Sequence, residues 1–179
     1  NFDDGLMELK NVMRDNGFMP VAAGAFVGEH SFSTILGAGR PDADDMALVD
    51  ELAHKAAEKV KGLTEAPTQA VEVEGCDPIR PYYTPRDRYG EPIKDFLKAK
   101  PKTDPDKCVK CGLCARLCPM GSIDPNDVSN VVGKCIKCCA CVKKCPKGAK
   151  YFDHEGYLYH QHELEDQYAG RRAPSKIFL

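Results

Sequence analysis

Apolar residues in the first sixty positions recur with the spacing of two helices and one strand. Residues 3–16 predict an amphipathic helix that ends at Asn16 and Gly17. The run over 18–27, FMPVAAGAFV, is almost continuously apolar and of strand length, as is typical of a strand covered on both faces in a parallel sheet. Pro41 then precedes a second predicted helix over 43–61. The apolar stripe of the first helix consists of Leu6, Leu9, Val12 and Met13.

One buried strand requires neighbouring strands to satisfy its backbone groups and cover its faces. We therefore predict that residues 1–62 are the last third of an α/β domain whose earlier strands are absent. The alternative is a small helical subdomain in which the apolar run packs as an irregular core segment. The chain begins with Asn1 rather than Met, and we expect a further segment upstream.

The rest of the chain divides by composition into three segments. Residues 63–101 are rich in proline and predict an extended linker, residues 102–150 hold most of the cysteines, and residues 151–179 include a predicted helix near 160–169. No stretch approaches the ~20 apolar residues of a membrane span, and the first ten residues do not resemble a signal peptide. We expect a cytoplasmic protein without a membrane span.

Charge is distributed unevenly between these segments. Residues 1–75 contain fourteen acidic and six basic residues, whereas residues 102–150 contain four acidic and ten basic residues. The acidic and basic parts are therefore expected to be different modules.

Ten cysteines in 179 residues require an explanation, either as disulfides or as thiolate ligands of a metal. Nine of them lie in the short segments 108–118 and 135–145, and eight of these nine are separated by only two or three residues within each segment. Neighbours this close are poorly placed to form disulfides with one another but well placed to surround one metal centre. The spacing favours metal binding.

The two segments are an internal repeat, CVKCGLCARLCPMG at 108–121 and CIKCCACVKKCPKG at 135–148. Each has three cysteines at spacings of three, then a fourth cysteine followed by proline. A structural zinc site would use two separated pairs of cysteines and would not explain the Cys-Pro elements. The pattern predicts iron–sulfur clusters.

Residues 102–150 resemble a bacterial two-cluster ferredoxin, in which the fourth cysteine of each run binds the other cluster. The resemblance implies two [4Fe–4S] clusters that cross-link the two runs. It assigns to one cluster the ligands Cys108, Cys111, Cys114 and Cys145. It assigns to the other the ligands Cys135, Cys138, Cys141 and Cys118.

Two cysteines fall outside this assignment. Cys139 lies where the first run has Gly112, and we expect a small buried side chain near the cluster, with ligand exchange as the alternative. Cys76, alone in the linker, is expected to be a partly buried thiol rather than a nucleophile. Lysines around the runs are expected either to favour the reduced clusters and attract an acidic partner, for which the acidic N-terminal module is a candidate, or to be only a solvated surface.

The N-terminal part resembles the end of a flavodoxin-like domain, on the segments NFDDGLMEL at 1–9, AFVGEHS at 25–31 and GRPDADD at 39–45. The order of segments is similar to flavodoxin–ferredoxin fusion proteins of anaerobic bacteria. The resemblance implies an α+β chain in which a dicluster ferredoxin-like module follows a helix–strand–helix remnant of a flavodoxin-like domain. It places Phe2 in a loop near the flavin. Because the phosphate-binding loop has no counterpart here, it implies FMN only in a full-length parent.

The predicted function is one-electron transfer through two clusters to or from a flavin domain or a redox protein. The alternative is an iron–sulfur relay component of a flavin-dependent oxidoreductase. No catalytic residue stands out, which favours an electron carrier over an enzyme. Nucleic-acid binding has no support beyond the lysines.

Overall fold

The computed structural model describes residues 2–179; Asn1, the first residue of the predicted flavodoxin-like segment, lies outside the described residues. The chain divides into two compact units, each discontinuous in sequence. The first contains residues 2–29, Gly37–Tyr83 and Arg171–Leu179, and the second contains His30–Leu36 and Thr84–Gly170. Each unit draws on more than one of the predicted segments.

Helix α1 of the first unit, Gly5–Asp15, lies within the predicted range 3–16. It ends as expected at Gly17, whose φ of +85° is easily adopted by glycine and whose N–H donates to the Arg14 carbonyl at 3.0 Å. Met7 is the buried residue of the helix. The predicted stripe is buried only in part, since three of its members are exposed, namely Leu9, Val12 and Met13.

Helix α2, Ala43–Lys61, has the predicted bounds because its start is encoded locally. The Asp42 carboxylate accepts hydrogen bonds from the N–H groups of Asp44 at 3.1 Å and Asp45 at 3.2 Å. In return, the Asp45 carboxylate accepts from the Asp42 N–H at 3.0 Å. This reciprocal capping box satisfies backbone donors that have no partner within the helix.

Asp45 also forms a buried ion pair with Arg40, and its side chain is 2% exposed. The hydrogen-bonded Arg40 guanidinium lowers the pKa of Asp45 well below its usual range, although burial opposes this. The Ser175 hydroxyl donates to the same carboxylate at 2.6 Å, and Arg40 donates to the Ala173 carbonyl at 3.2 Å. The pair thus ties the start of α2 to the C-terminal segment of the same unit.

Strand β1 covers only Ala23–Ala25, so the prediction of a strand over 18–27 is wrong in extent. It pairs antiparallel with β4, Lys176–Phe178, so the expected parallel sheet is also wrong for this strand. Pro20 has no N–H to give to a ladder, and its carbonyl accepts from the N–H of Val71 at 2.8 Å. The start of the run is irregular, as the alternative expected, but it is not buried, since Phe18 is 60% exposed.

The core of the first unit is small and recruits residues from the proline-rich segment. Its buried members are Met7, Val71 and Val73. Beside it, the Asp4 carboxylate accepts hydrogen bonds from the backbone N–H groups of Cys76 and Arg80, both at 2.9 Å. Partly buried residues complete the cluster, namely Leu6, Ala23, Ile79 and Phe178.

The second unit is made of short elements. Strand β2, Lys102–Thr103, pairs antiparallel with β3, Lys150–Tyr151, and a 3₁₀ turn covers Phe96–Lys98. Helices α3, Leu113–Arg116, and α4, Ala140–Lys143, contain one turn each.

Helix α5, Glu155–Tyr168, is the longest element of this unit. It starts before the predicted range of 160–169, because the His154 ring nitrogen Nδ1 accepts the N–H of Tyr157 at 3.2 Å and caps the helix. Among residues 2–179, no helix has both the length and the apolar character required to cross a membrane.

Tyr157 of α5 is the centre of the second core. It is 2% exposed, and its ring stacks on that of Phe152 with centroids 4.2 Å apart. The ring of Phe96 also stacks on that of Tyr157, with centroids 6.0 Å apart. Ala99 and Cys139 complete the buried cluster, which places a cysteine of the second run in an aromatic core.

Replacing Arg40 with alanine is expected to lower the melting temperature by several degrees, because the Asp45 carboxylate would be left buried without its counter-charge. The matched control is Arg14→Ala, which removes an exposed ion pair with Asp15 and should have little effect. Thermal unfolding followed by far-UV circular dichroism measures both. The double variant Arg40→Ala/Asp45→Ala should be more stable than Arg40→Ala alone. Equal losses for Arg40→Ala and Arg14→Ala would contradict this account.

Candidate metal centres

The two cysteine runs adopt the same backbone conformation. In the first loop Lys110 and Gly112 have φ values of +54° and +72°, and in the second Lys137 and Cys139 have φ values of +57° and +55°. Each loop therefore turns twice through the left-handed region before its one-turn helix, α3 or α4, begins. Three of these four positions carry a side chain, although the conformation favours glycine.

The fourth cysteine of each run lies just beyond that helix and receives the same hydrogen bond. The N–H of Ser122 donates to the Cys118 Sγ at 3.3 Å, and the N–H of Ala149 donates to the Cys145 Sγ at 3.3 Å. Both donors lie four residues after their cysteine. Such bonds stabilise negative charge on sulfur.

Two cavities of similar size lie among the cysteines. Their empty volumes, including adjoining solvent, are about 420 and 390 Å³. Cysteines that line the first cavity are Cys108, Cys111, Cys114, Cys141 and Cys145. Those that line the second are Cys118, Cys135, Cys138, Cys139 and Cys141.

Each cavity thus brings together the first three cysteines of one run and the fourth cysteine of the other run. Cys141 borders both cavities, so they share part of a wall. In residues 2–179, no three His, Cys, Asp or Glu side chains form a group suited to a single metal ion. Several thiols around one cavity fit a cluster, in which each thiolate binds its own iron.

The walls between the cysteines are largely apolar. Leu113, Leu117 and Val128 line the first cavity, and Ile123 and Phe152 line the second. Burial raises the pKa of the Cys141 thiol to about 12. Burial also acts to raise the pKa of Cys145, but backbone N–H groups, led by that of Ala149, outweigh it and lower this pKa. The backbone around Cys145 therefore favours the thiolate.

Cys139 lies in the core, as expected of a small buried side chain. It is 4% exposed, and its Sγ is 3.1 Å from the Tyr157 hydroxyl oxygen. Burial raises the pKa of the Cys139 thiol. The sequence offers no local signal for this contact, because Tyr157 lies eighteen residues further along the chain.

The remaining candidates lie in the first unit. Cys76 is exposed, so the expectation of a partly buried thiol is wrong; its short turn is held to Asp4 through the backbone rather than through sulfur. Phe2 packs edge-on against Phe178, with centroids 6.4 Å apart. Its assignment to a flavin-binding loop stays a prediction.

Comparison with known proteins identifies the cysteine segment. Residues 100–146 match the family model described as 4Fe-4S dicluster domain. No curated protein and no solved structure matches the chain. These residues form a dicluster ferredoxin domain, and the chain carries two [4Fe–4S] clusters. The comparisons give no support for a fused flavodoxin.

Adjacent cysteines provide a test of the ligand set. Cys138→Ala is expected to lower the iron content from about eight to about four per chain, because one cluster loses a thiolate. Cys139→Ala should keep about eight irons, since the Cys139 thiol, although it lines the cavity, is hydrogen-bonded to the Tyr157 hydroxyl. Iron and acid-labile sulfide are measured after anaerobic reconstitution. Loss of a cluster in Cys139→Ala, with retention in Cys138→Ala, would reverse the assignment.

Proposed function

We propose that this protein is an electron carrier that passes single electrons through its two clusters to or from a redox partner. The observation that carries this proposal is the pair of cysteine-lined cavities with a common wall inside the dicluster domain. When bound, each cluster supplies a reversible one-electron couple. The shared wall at Cys141 supports electron transfer from one cavity to the other.

The ligands proposed for these clusters are those that the ferredoxin resemblance implies. Each fourth cysteine crosses to the cavity of the opposite run, which supports an interlocked arrangement. The ligands of the first cluster are Cys108, Cys111, Cys114 and Cys145. The ligands of the second cluster are Cys135, Cys138, Cys141 and Cys118.

The protein groups around the cavities serve three purposes in this proposal. The N–H groups of Ser122 and Ala149 stabilise charge on sulfur, and the apolar walls limit access of water. Cys111 and Cys138 are exposed, one at each cavity. Each cavity therefore has an edge at the protein surface through which an electron could enter or leave.

The alternative is that the domain relays electrons to a flavin site in a larger oxidoreductase. It depends on the flavodoxin-like resemblance of residues 1–62 and on FMN bound by a full-length parent. Neither is needed to explain the two cavities, and for this reason we place the carrier first.

The domain boundaries at residues 62, 101 and 150 are also part of this proposal.

Anaerobic reconstitution tests the carrier function directly. About eight irons per chain should bind, and reduction with dithionite should give an electron paramagnetic resonance spectrum broadened by coupling between two nearby reduced clusters. The control is Cys138→Ala, whose spectrum should show one uncoupled cluster. Reoxidation should consume one hexacyanoferrate(III) per reduced cluster, because each cluster gives up one electron. Clusters that form but cannot be reduced and reoxidised would contradict the proposal. Flavin binding by the chain, followed by fluorescence, would favour the relay.

A further inference from the structure

The edge of the first cavity is a surface of exposed cations around two apolar side chains. Lys144, Lys147 and Val109 line the cavity, and the Arg116 guanidinium donates to the Cys111 carbonyl at 3.0 Å. Lys110 precedes Cys111 in the same loop. We call this surface the first rim. It consists of Val109, Lys110, Arg116, Leu117, Lys144 and Lys147, all of them exposed.

The charges of the first rim are not neutralised by ion pairs within residues 2–179. Lys107, just outside it, is paired with Asp104 at 2.9 Å. The four cations of the rim make no such pair in the described part of the chain, and Arg116 is bonded to a carbonyl instead. Lys110 interacts electrostatically with Asp127 without forming an ion pair. The rim as a whole still presents exposed positive charge to another molecule.

The second cavity has a different edge, although the two runs are repeats. At the position of Lys147 the first run has Met120, and the counterpart of exposed Lys110 is Lys137, which is buried and donates to the Leu97 carbonyl at 2.9 Å. Lysines lining the first cavity are Lys144, Lys147 and Lys150, whereas Lys134 is the lysine lining the second. If the cations only balanced the negative charge of the clusters, both cavity edges should carry them in similar number. The unequal distribution therefore indicates another role at the first edge.

We propose that the first rim is the docking surface for an acidic one-electron redox protein, which exchanges electrons with the first cluster. The inference rests on the proposed function and adds its partner. Val109, 61% exposed, and Leu117, 38% exposed, line the same cavity as Lys144 and Lys147 and supply an apolar contact. Opposite charge on a partner would raise the rate of productive encounter and orient it over the exposed Cys111.

The electron balance of the docked step is simple. The partner gains one electron as a reduced cluster loses one, and no bond between heavy atoms forms or breaks. Each chain can supply one electron per cluster, and dithionite restores both in the experiment below.

The test compares two double variants with the same formal net charge. Lys110→Glu/Lys147→Glu reverses charge on the first rim. The matched control, Lys100→Glu/Lys134→Glu, reverses two exposed lysines at the other cavity, where Lys134 lines the wall and Lys100 binds the carbonyl of Val131. The probe is an oxidised flavodoxin of strongly negative net charge. Its reduction by the reduced chain is followed by stopped flow, and its binding by isothermal titration calorimetry.

At about 10 mM salt, the first-rim variant should reduce flavodoxin at least about tenfold more slowly than the unmodified chain and bind it more weakly. The control should stay within about threefold, and the difference should vanish near 1 M salt. The midpoint potentials of the two double variants should shift equally. A difference between their rates then reports docking rather than a change in the driving force of electron transfer. If charge reversal reduces iron content, Lys110→Gln/Lys147→Gln should still lower the rate with full iron.

Four results separate a failure of the docking proposal from a failure of the electron-carrier function. Equal flavodoxin rates in the two double variants, or a larger loss in the control, would overturn docking at the first rim. Tight binding of a single-stranded oligonucleotide that depends on Lys110 and Lys147, with an unchanged flavodoxin rate, would assign the cations to nucleic acid instead. If hexacyanoferrate(III) fails to oxidise even the unmodified reduced chain, the electron-carrier function itself fails. Normal oxidation by hexacyanoferrate(III) with salt-independent flavodoxin rates rejects only the docking proposal.

Discussion

Cys145 lies at the cavity of the first cysteine run, and Cys118 lies at the cavity of the second run. The second unit depends on this exchange of the fourth cysteines. Helices α3 and α4 have four residues each, far below the ~12–15 residues at which an isolated helix becomes stable. The β2–β3 ladder is also short, with two paired residues per strand. With the proposed ligands, each cluster would bind cysteines of both loops and so link the loops at two points. The metal centres would then stabilise the fold of this unit as well as supply its chemistry.

The left-handed turns around the cysteines are also consistent with a fold that is determined by the metal centres. Lys110, Lys137 and Cys139 occupy a region of backbone conformation that is unfavourable for residues with a side chain. The cost is tolerated because the loops must point several sulfurs into one cavity. At Cys139 it is offset further, since the side chain is buried and contacts Tyr157 in the aromatic core.

Features encoded by neighbouring residues could be predicted from the sequence, and those that depend on distant partners could not. The cysteine spacing indicated a dicluster domain, and Pro41 indicated the start of α2, because both signals lie within a few residues. The apolar run over 18–27 predicted a strand covered on both faces, but Phe18 and Phe26 are exposed, and the partner of the run is β4 at the other end of the chain. The different edges of the two cavities depend on which lysines become buried, and spacing does not reveal this.

The pairing of β1 with β4 has a consequence for the order of folding during synthesis. Because β4 follows every residue of the second unit in the chain, it leaves the ribosome after that unit is complete. Until residues 175–178 are made, β1 lacks its partner and Asp45 lacks the Ser175 hydroxyl. Both cysteine runs are therefore synthesised before the first unit can close, and a chain truncated before residue 175 would lack the β1–β4 ladder and this buried hydrogen bond.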